Sequence, residues 1–234
     1  MIAADTSRTR AYLAALERNR LLPSWALLLE AGNKAMPGQT RGGAPRPPAT
    51  ADWPEADFDP SRPLRPWLDR LGVNYVVADT ADINAPLVVD LIAGCEPEVL
   101  VYSGYGGVLL RNAMLSAGKR FLHVHGGYLP DFKGSTTNYF SILTERSFGA
   151  SAIFLTAEID GGPLLCRRHF PLPPDRRQID HVYDSAARAS VLVETLRAWR
   201  QKGAWPSDLP ANRGGRTYYV IHPVLKHIAI LGDA

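Results

Sequence analysis

The segment FLHVHGGYLPDFKGSTTNYF, residues 121–140, decides the fold assignment of this chain. An apolar run of strand length ends here on His123 and His125, and two glycines and a proline follow closely. Open parallel sheets bind their ligands beyond the carboxyl ends of the strands. Side chains two positions apart in a strand point to the same face, so both imidazoles are expected to enter one crevice.

A second polar segment, AEIDGGPLL at residues 157–165, follows another apolar run. Asp160 is expected to meet His125 in the crevice at the strand ends, where a carboxylate and an imidazole form a general acid/base pair. The charge of Asp160 is expected to raise the pKa of His125 toward the working pH. Gly126 and Gly127 are expected to let the backbone approach a ligand closely.

Around these segments, apolar runs of strand length alternate with amphipathic runs of helix length. This alternation predicts βαβ units, and hence an α/β fold with a Rossmann-like open, mostly parallel, twisted sheet and helices on both faces. Residues 135–137 are expected to cap the helix that follows them. The predicted strands are 25–30, 74–79, 98–104, 120–125, 149–160 and 162–170, and the predicted helices are 6–20, 65–72, 84–94, 108–118, 136–146 and 179–202.

The chain divides unevenly into a large and a small part. Residues 1–175 are expected to form the domain that carries both polar segments, and residues 176–234 a helix and a short apolar tail packed on it. Residues 31–63 are dense in proline and glycine. They are predicted to form a long loop that shapes a ligand pocket. The tail TYYVIHPVLKHIAIL, residues 217–231, is a candidate homodimer interface.

Composition favours an ordinary water-soluble protein. A hydrophobic fraction of 46% suffices for a core, and a net charge of +3 does not call for a nucleic-acid partner. No apolar run reaches the roughly 20 residues of a membrane helix, and the first residues lack the apolar centre of a signal peptide. Cys95 and Cys166 have no metal-binding spacing and are expected to be free, buried thiols. We therefore expect a cytoplasmic protein without a membrane partner.

The two polar segments also resemble a known family. HVHGGYLPDFKG resembles the signature Asn-x-His-x-Ser-Leu-Leu-Pro-x-x-x-Gly of the folate-dependent formyltransferases, and GASAIFLTAEIDGGPLL resembles their second signature. The likeness spans residues 98–170, with 35 positions from His125 to Asp160. Glycinamide ribonucleotide transformylase, methionyl-tRNA formyltransferase and the sugar N-formyltransferases share this core. The resemblance implies transfer of a formyl group from 10-formyltetrahydrofolate to a primary amine of a small metabolite, an amino sugar or amino acid derivative, without a metal.

The resemblance also implies residue roles. His125 would polarise the formyl group and stabilise the oxyanion, and Asp160 would orient His125 and assist proton transfer. His123 stands where the family has asparagine, and an imidazole N–H there would serve the same oxyanion. The folate is expected to contact Gly104, Tyr105, Val108, Leu109, Ala157 and Glu158, and the acceptor to contact Gly127 and Lys133.

The sequence departs from the family pattern at His123 and at both ends. Only residues 1–5 precede the first helix, which leaves little length for the family's first strand. DTSRTR replaces the glycine-containing phosphate loop of the glycinamide ribonucleotide enzyme, so that substrate is not expected. Residues 7–10 would either hold an anion at the helix start or form an N-cap with solvated arginines. About 60 residues follow the core, too few for the barrel of the tRNA enzyme.

Three other functions stay open. A formyltetrahydrofolate hydrolase would use water in place of the amine. A folate-binding homologue without catalysis would have lost activity with the change at His123. A metal-dependent amidohydrolase would also present His-x-His and a distant aspartate, but it requires a (β/α)₈ barrel.

Overall fold

The computed structural model describes residues 1–32, 50–206, 209 and 212–232. The strands are β1 (Ile2–Ala4), β2 (Trp25–Leu29), β3 (Asn74–Ala78), β4 (Val99–Ser103), β5 (Arg120–His125), β6 (Phe132–Gly134), β7 (Phe148–Phe154), β8 (Leu164–Phe170) and β9 (Arg216–Tyr218). The helices are α1 (Ser7–Arg18), α2 (Leu64–Leu71), α3 (Pro86–Gly94), α4 (Asn112–Leu115), α5 (Thr137–Glu145), α6 (Asp184–Lys202) and α7 (Pro223–Leu231).

Seven strands form one sheet in the order β3-β2-β1-β4-β5-β7-β8. The first five of these run parallel, whereas β7 pairs antiparallel with β5 and β8 pairs antiparallel with β7. The predicted open, mostly parallel α/β sheet is therefore confirmed. A strand forms within each predicted range, but the predicted strand 149–160 is too long, because β7 ends at Phe154. The antiparallel direction of β7 is a feature that the apolar pattern did not reveal, because burial patterns carry no strand direction.

The short first strand lies in the middle of the sheet. Residues Ile2–Ala4 pair with β2 on one side and β4 on the other, and the amino group of Met1 donates to the carbonyl of Trp25 at 2.7 Å. Thr6 caps α1 by accepting from the N–H of Thr9. Five residues before the helix are thus sufficient for the first strand.

Helices cover both faces of the sheet. On one face, α3 and α4 bury Val88, Ile92 and Met114 against apolar side chains of β1, β2 and β5. On the other face, α6 packs against α1, β5 and β7. A π-helical turn, Ile179–Tyr183, leads directly into α6.

One predicted helix, 108–118, is much shorter in the structure. Only Asn112–Leu115 is helical, because the side chain of Asn84 holds the preceding backbone extended. Its amide donates to the carbonyl of Leu109 at 3.0 Å and accepts from the N–H of Arg111 at 2.7 Å. These side-chain bonds replace the main-chain bonds that a longer helix would need.

The proline-rich loop is described only in part, since residues 33–49 lie outside the described residues. The part that follows contains a short 3₁₀ turn, Pro54–Ala56, and packs into the core. Trp53 and Phe58 are both nearly inaccessible to solvent. This part of the loop therefore supports α1 and α6.

The tail packs against residues 121–140, which carry the two histidines. Strand β9 pairs in parallel with β6, and α7 packs against α5. Several apolar side chains of the tail stay exposed, namely Tyr219, Val220, Val224, Leu225, Ile228 and Leu231. They fit the predicted homodimer interface, which stays a prediction.

Two further observations concern the described residues. None of the helices there has the length and apolar character to cross a membrane. Cys95 and Cys166 are free thiols, as expected, although both are half-buried and not fully enclosed.

Candidate active site

His125 ends strand β5 with both ring nitrogens engaged. Its side chain is only 5% exposed. Nε2 lies 2.8 Å from the carbonyl oxygen of Phe132, and Nδ1 lies 3.4 Å from Oδ2 of Asp160. Because a carbonyl only accepts, the first hydrogen bond assigns the proton of the neutral ring to Nε2. Nδ1 then faces the carboxylate with its lone pair.

Asp160 reaches His125 by a route that the sequence did not predict. Because β7 is antiparallel, it ends beside the start of β5, where the N–H of Leu155 donates to the carbonyl of Phe121 at 2.9 Å. The following residues run back along β5, a distance of about 13 Å for four strand residues, before Asp160 meets His125. Asp160 thus meets His125 as expected, but it does so from a loop and not from the end of the predicted strand 149–160.

Asp160 is held in place by backbone and tail contacts. Its Oδ2 accepts from the N–H of Gly134 at 2.8 Å. Its backbone has a φ of +49°, in the left-handed region, which aspartate tolerates better than most residues. The amide of buried Asn212 donates to the carbonyls of Asp160 and Gly162 at 2.5 and 3.0 Å. Asn212, which lies between α6 and β9, thus sets the position of residues 157–162, the acidic loop.

His123 shares the space with this pair, as the strand alternation predicted. One ring nitrogen of each histidine and one carboxylate oxygen of Asp160 all lie within 4.8 Å of one another. Within the described residues, Nδ1 of His123 is buried and has no hydrogen-bond partner. Burial and the nearby guanidinium groups of Arg8 and Arg188 hold the pKa of His123 well below its usual range.

The pKa of His125 is also lowered, so the expected increase is wrong. Burial is the largest cause, and Asp160 opposes it only in part. The charge of Arg188 adds to the decrease. A neutral His125 is consistent with the tautomer that its hydrogen bond to Phe132 assigns.

Arg188 is a site residue that the sequence analysis missed. From α6 it donates to the carbonyl of Val124 at 2.9 Å, and its Nε lies 2.8 Å from Oδ2 of Asp184. A Cβ on Gly126 would overlap the Asp184 carboxylate and the Arg188 guanidinium. The Asp-x-x-x-Arg spacing on the helix was a signal of this pair, but nothing in it indicated contact with β5.

Gly127 and Thr137 complete the support of His125. A Cβ on Gly127 would collide with Nε2 of His125 and with Oγ1 of Thr137. Thr137 donates to the carbonyl of Gly126. In helix α5 the cap residue, Thr136, makes no side-chain capping bond, so the expected cap is wrong. The space that a Cβ would occupy on either glycine is filled by protein atoms.

The residues predicted to contact folate differ in their exposure to solvent. Gly104 accepts from Arg8 through its carbonyl, so Arg8 is not a solvated arginine. Tyr105 is buried and donates to the carbonyl of Leu29 at 3.2 Å, Val108 is partly buried, and Leu109 is 63% exposed. Ala157 and Glu158 are exposed on the acidic loop.

Lys133, predicted to contact the acceptor, is buried. Its Nζ donates to the carbonyl of Asn212 at 3.2 Å and lies 3.6 Å from Oε1 of the largely exposed Glu158. Ala157 borders a cleft of about 440 Å³ whose apolar lining includes Phe121, Leu155 and Leu115. The structure therefore places the acidic loop between this cleft and the two histidines.

Acidic conditions are expected to destabilise the folded chain through His123. Its folded pKa is depressed by burial and by Arg8, Arg188 and His125. Below the unfolded pKa of about 6.5, the unfolded chain binds a proton that the folded chain does not. The free energy of unfolding then decreases by about 1.4 kcal/mol per pH unit for this group until the pH reaches the folded pKa.

The measurement compares denaturant midpoints of the wild type and His123→Asn one unit above and one unit below pH ~6.5. The wild type is expected to lose about 1.4 kcal/mol more than the variant between the higher and the lower of these two pH values. Equal losses in the two proteins would show that His123 is not held neutral by the fold.

Comparisons with known proteins concern the family and the fold of the chain. A family model described as formyl transferase matches residues 71–195, more than half of the chain. A methionyl-tRNA formyltransferase from Roseiflexus sp. (strain RS-1) is 31% identical over 139 residues, which cover 58% of this chain and 42% of that protein. The chain thus matches less than half the length of this curated relative.

Two solved structures share the fold. A sugar N-formyltransferase from Shewanella sp FDAARGOS_354 aligns with a TM-score of 0.59 and 15% identity, over 98% of this chain and 85% of that one. HypX from Aquifex aeolicus in complex with tetrahydrofolic acid aligns with a TM-score of 0.50 and 17% identity, over 68% of this chain and 27% of that one. At these identities the likeness concerns the fold alone.

Proposed function

The chain belongs to the formyl transferase family, and on that premise we propose that it transfers a formyl group from 10-formyltetrahydrofolate to the primary amine of a small metabolite. The observation that carries the proposal is the contact of His125 Nδ1 with Asp160 Oδ2 at 3.4 Å. This pair lies where the family motifs match. An imidazole paired with a carboxylate is suited to move a proton during attack by an amine.

Two hydrogen-bond acceptors of the protein would orient the substrate amine. Nδ1 of His125 and Oδ2 of Asp160 both present lone pairs to the same small space, and an amine nitrogen supplies N–H donors for them. When the neutral amine attacks the formyl carbon, a new C–N bond forms and the nitrogen becomes positively charged. The pair then takes its proton. As the bond from the formyl carbon to the folate nitrogen breaks, that nitrogen receives a proton in return.

The negative charge that develops on the formyl oxygen needs a positive environment. Nε2 of His125 already donates to Phe132, so in this geometry it is not free to serve the oxyanion. Arg8 and Arg188 lie close enough to depress the pKa of His123 and supply that potential. We therefore assign proton transfer to His125 and Asp160, and electrostatic stabilisation of the oxyanion to the two arginines.

The folate ring system is proposed to bind beside the acidic loop, at the edge of the sheet where residues 104–109 follow strand β4 and His125 ends strand β5. The cleft lined by Phe121 and Leu155 lies at the start of β5, about 13 Å from His125. Because its lining also includes Lys119 and Arg120, we do not assign that cleft to the folate. A fold neighbour crystallised with tetrahydrofolic acid supports a folate donor.

The acceptor is proposed to be an amino sugar or an amino acid derivative. The sugar N-formyltransferase neighbour covers nearly the whole of this chain, which favours the first class. Lys133 would contribute a positive charge from its buried position 3.6 Å from Oε1 of the largely exposed Glu158.

A single-turnover assay tests the proposal. The protein is mixed with 10-formyltetrahydrofolate and a pool of amino sugars and amino acid derivatives, and both formylated product and free formate are measured. The wild type is expected to form product, and His125→Ala to be slower by about 100- to 10,000-fold, because the proton acceptor is lost. His227→Asn, on the exposed face of α7, is the matched control and is expected to behave as wild type.

The other outcomes separate the alternatives. Formate released at equal rates with and without amines would identify a hydrolase. Folate binding without product or formate would identify a non-catalytic homologue. Equal product from the wild type and His125→Ala would contradict the assigned site.

A further inference from the structure

We propose that His123, His125 and Asp160 form a binding site for a zinc ion. One ring nitrogen of each histidine and one oxygen of Asp160 converge within 4.8 Å, in a pocket that is largely closed to solvent. Two imidazoles and one carboxylate are a donor set that zinc uses where it keeps a fourth position open for water or another ligand. The proposal concerns metal binding and does not depend on formyl transfer.

The distances suit this ion. Zinc binds imidazole nitrogen and carboxylate oxygen at about 2.0–2.2 Å, so two ligands of a tetrahedral ion lie about 3.4 Å apart. His125 Nδ1 and Asp160 Oδ2 are separated by 3.4 Å. The third ligand lies within 4.8 Å of the other two and needs to approach by at most about 1.4 Å to reach the same spacing. Nδ1 of His123, one of the two ring nitrogens that could serve as this ligand, has no hydrogen bond within the described residues.

The hydrogen bond of His125 matches that of a metal ligand. His125 uses Nε2 to donate to the carbonyl of Phe132 at 2.8 Å, which leaves the lone pair of Nδ1 facing Asp160. Zinc-bound histidines commonly donate their second nitrogen to a carbonyl in this way. A cation between them would also offset the electrostatic repulsion between the lone pair of His125 Nδ1 and the carboxylate of Asp160.

His123 distinguishes this site from the pattern that the chain otherwise resembles. An asparagine at this position would leave only one histidine and one aspartate, and asparagine is not among the usual zinc ligands. Two guanidinium groups near the site, those of Arg8 and Arg188, oppose a cation to different degrees. Arg188 is paired with Asp184 at 2.8 Å, whereas Arg8 bonds to neutral groups of Ser103 and Gly104 and opposes a cation.

Zinc would compete with the proposed reaction. It would occupy the lone pairs of His125 and Asp160 that we assign to the amine. This consequence rests on the proposed function, whereas binding of the ion does not. If transfer occurs, zinc is expected to inhibit it, and a chelator is expected to restore it.

The test measures the metal directly. The purified chain, freed of metal by a chelator, is titrated with Co²⁺, whose visible absorption distinguishes tetrahedral sites, and Zn²⁺ is then added to displace it. The wild type is expected to bind one equivalent. His123→Asn and Asp160→Asn are each expected to bind at least about 10-fold more weakly. The control His227→Asn removes a histidine far along the chain and is expected to bind as wild type.

Anomalous diffraction from zinc-soaked wild-type crystals provides a second measurement that no variant's folding affects. A peak between His123, His125 and Asp160 is expected. Absence of tetrahedral Co²⁺ absorption in the wild type, unchanged binding in a correctly folded His123→Asn variant, or zinc elsewhere in the crystal would each overturn the proposal. Because none of these measurements uses folate or amine, their outcome is separate from that of the transfer assay.

Discussion

Formyl transfer by Asp160→Asn is expected to be about 100- to 1,000-fold slower than transfer by the wild type. The substitution keeps the shape of the side chain and an oxygen that accepts from the N–H of Gly134. It removes the negative charge beside His125 Nδ1, at 3.4 Å, and with it one half of the pair that takes the proton of the attacking amine. The single-turnover rate at saturating folate isolates this step.

Asp131→Asn is the matched control. It removes an exposed acid from the same motif segment, and transfer is expected to stay within a factor of two or so of wild type because surface changes are usually small. Circular dichroism and thermal unfolding establish that both variants are folded. A folded Asp160→Asn variant that transfers formyl at the wild-type rate would exclude Asp160 from proton transfer.

Trp53→Ala is expected to lower the free energy of unfolding by about 3–5 kcal/mol. Trp53 is 3% exposed and lies among three aromatic rings. It stacks on Phe170 with ring centroids 5.3 Å apart and meets Phe148 and Tyr183 edge-on at 5.5 and 4.9 Å. Truncation would leave a cavity between the end of the long loop, the sheet and the segment before α6.

Denaturant titration measures this loss. Asp52→Ala changes the exposed neighbour of Trp53 and is expected to alter stability by less than about 0.5 kcal/mol. If Trp53→Ala were as mild as Asp52→Ala, the loop end would not be part of the cooperative core. A loss of formyl transfer without a loss of stability would instead indicate that Trp53 acts on the site.

Local patterns were sufficient for most of the secondary structure. Continuous apolar runs such as Trp25–Leu29 predict buried parallel strands, because both faces of each strand are covered. The placement of His123 and His125 on one face follows from the two-residue period of a strand alone. Where a side chain overrides the local pattern, as Asn84 does before α4, prediction failed.

Only part of the site could be predicted from the sequence, because the rest depends on burial and on contacts between distant residues. His125 and Asp160 could be paired from motif spacing, but the pKa of His125 could not, since burial outweighs the charge of Asp160. Arg188 and Asn212 lie far from the motifs in sequence. Their contacts with Val124 and with the acidic loop exist only after α6 and the tail have packed.

By itself, the sequence determined the parallel core of the sheet, the shared face of His123 and His125, and the membership in a family. These depend on neighbours within a few residues or on motif spacing. The tertiary structure alone decided that β7 is antiparallel, that the acidic loop returns along β5, and that Trp53 lies in the core. Each of these depends on contacts between residues distant along the chain, whose free energy is gained only when the surfaces meet and water is excluded from them.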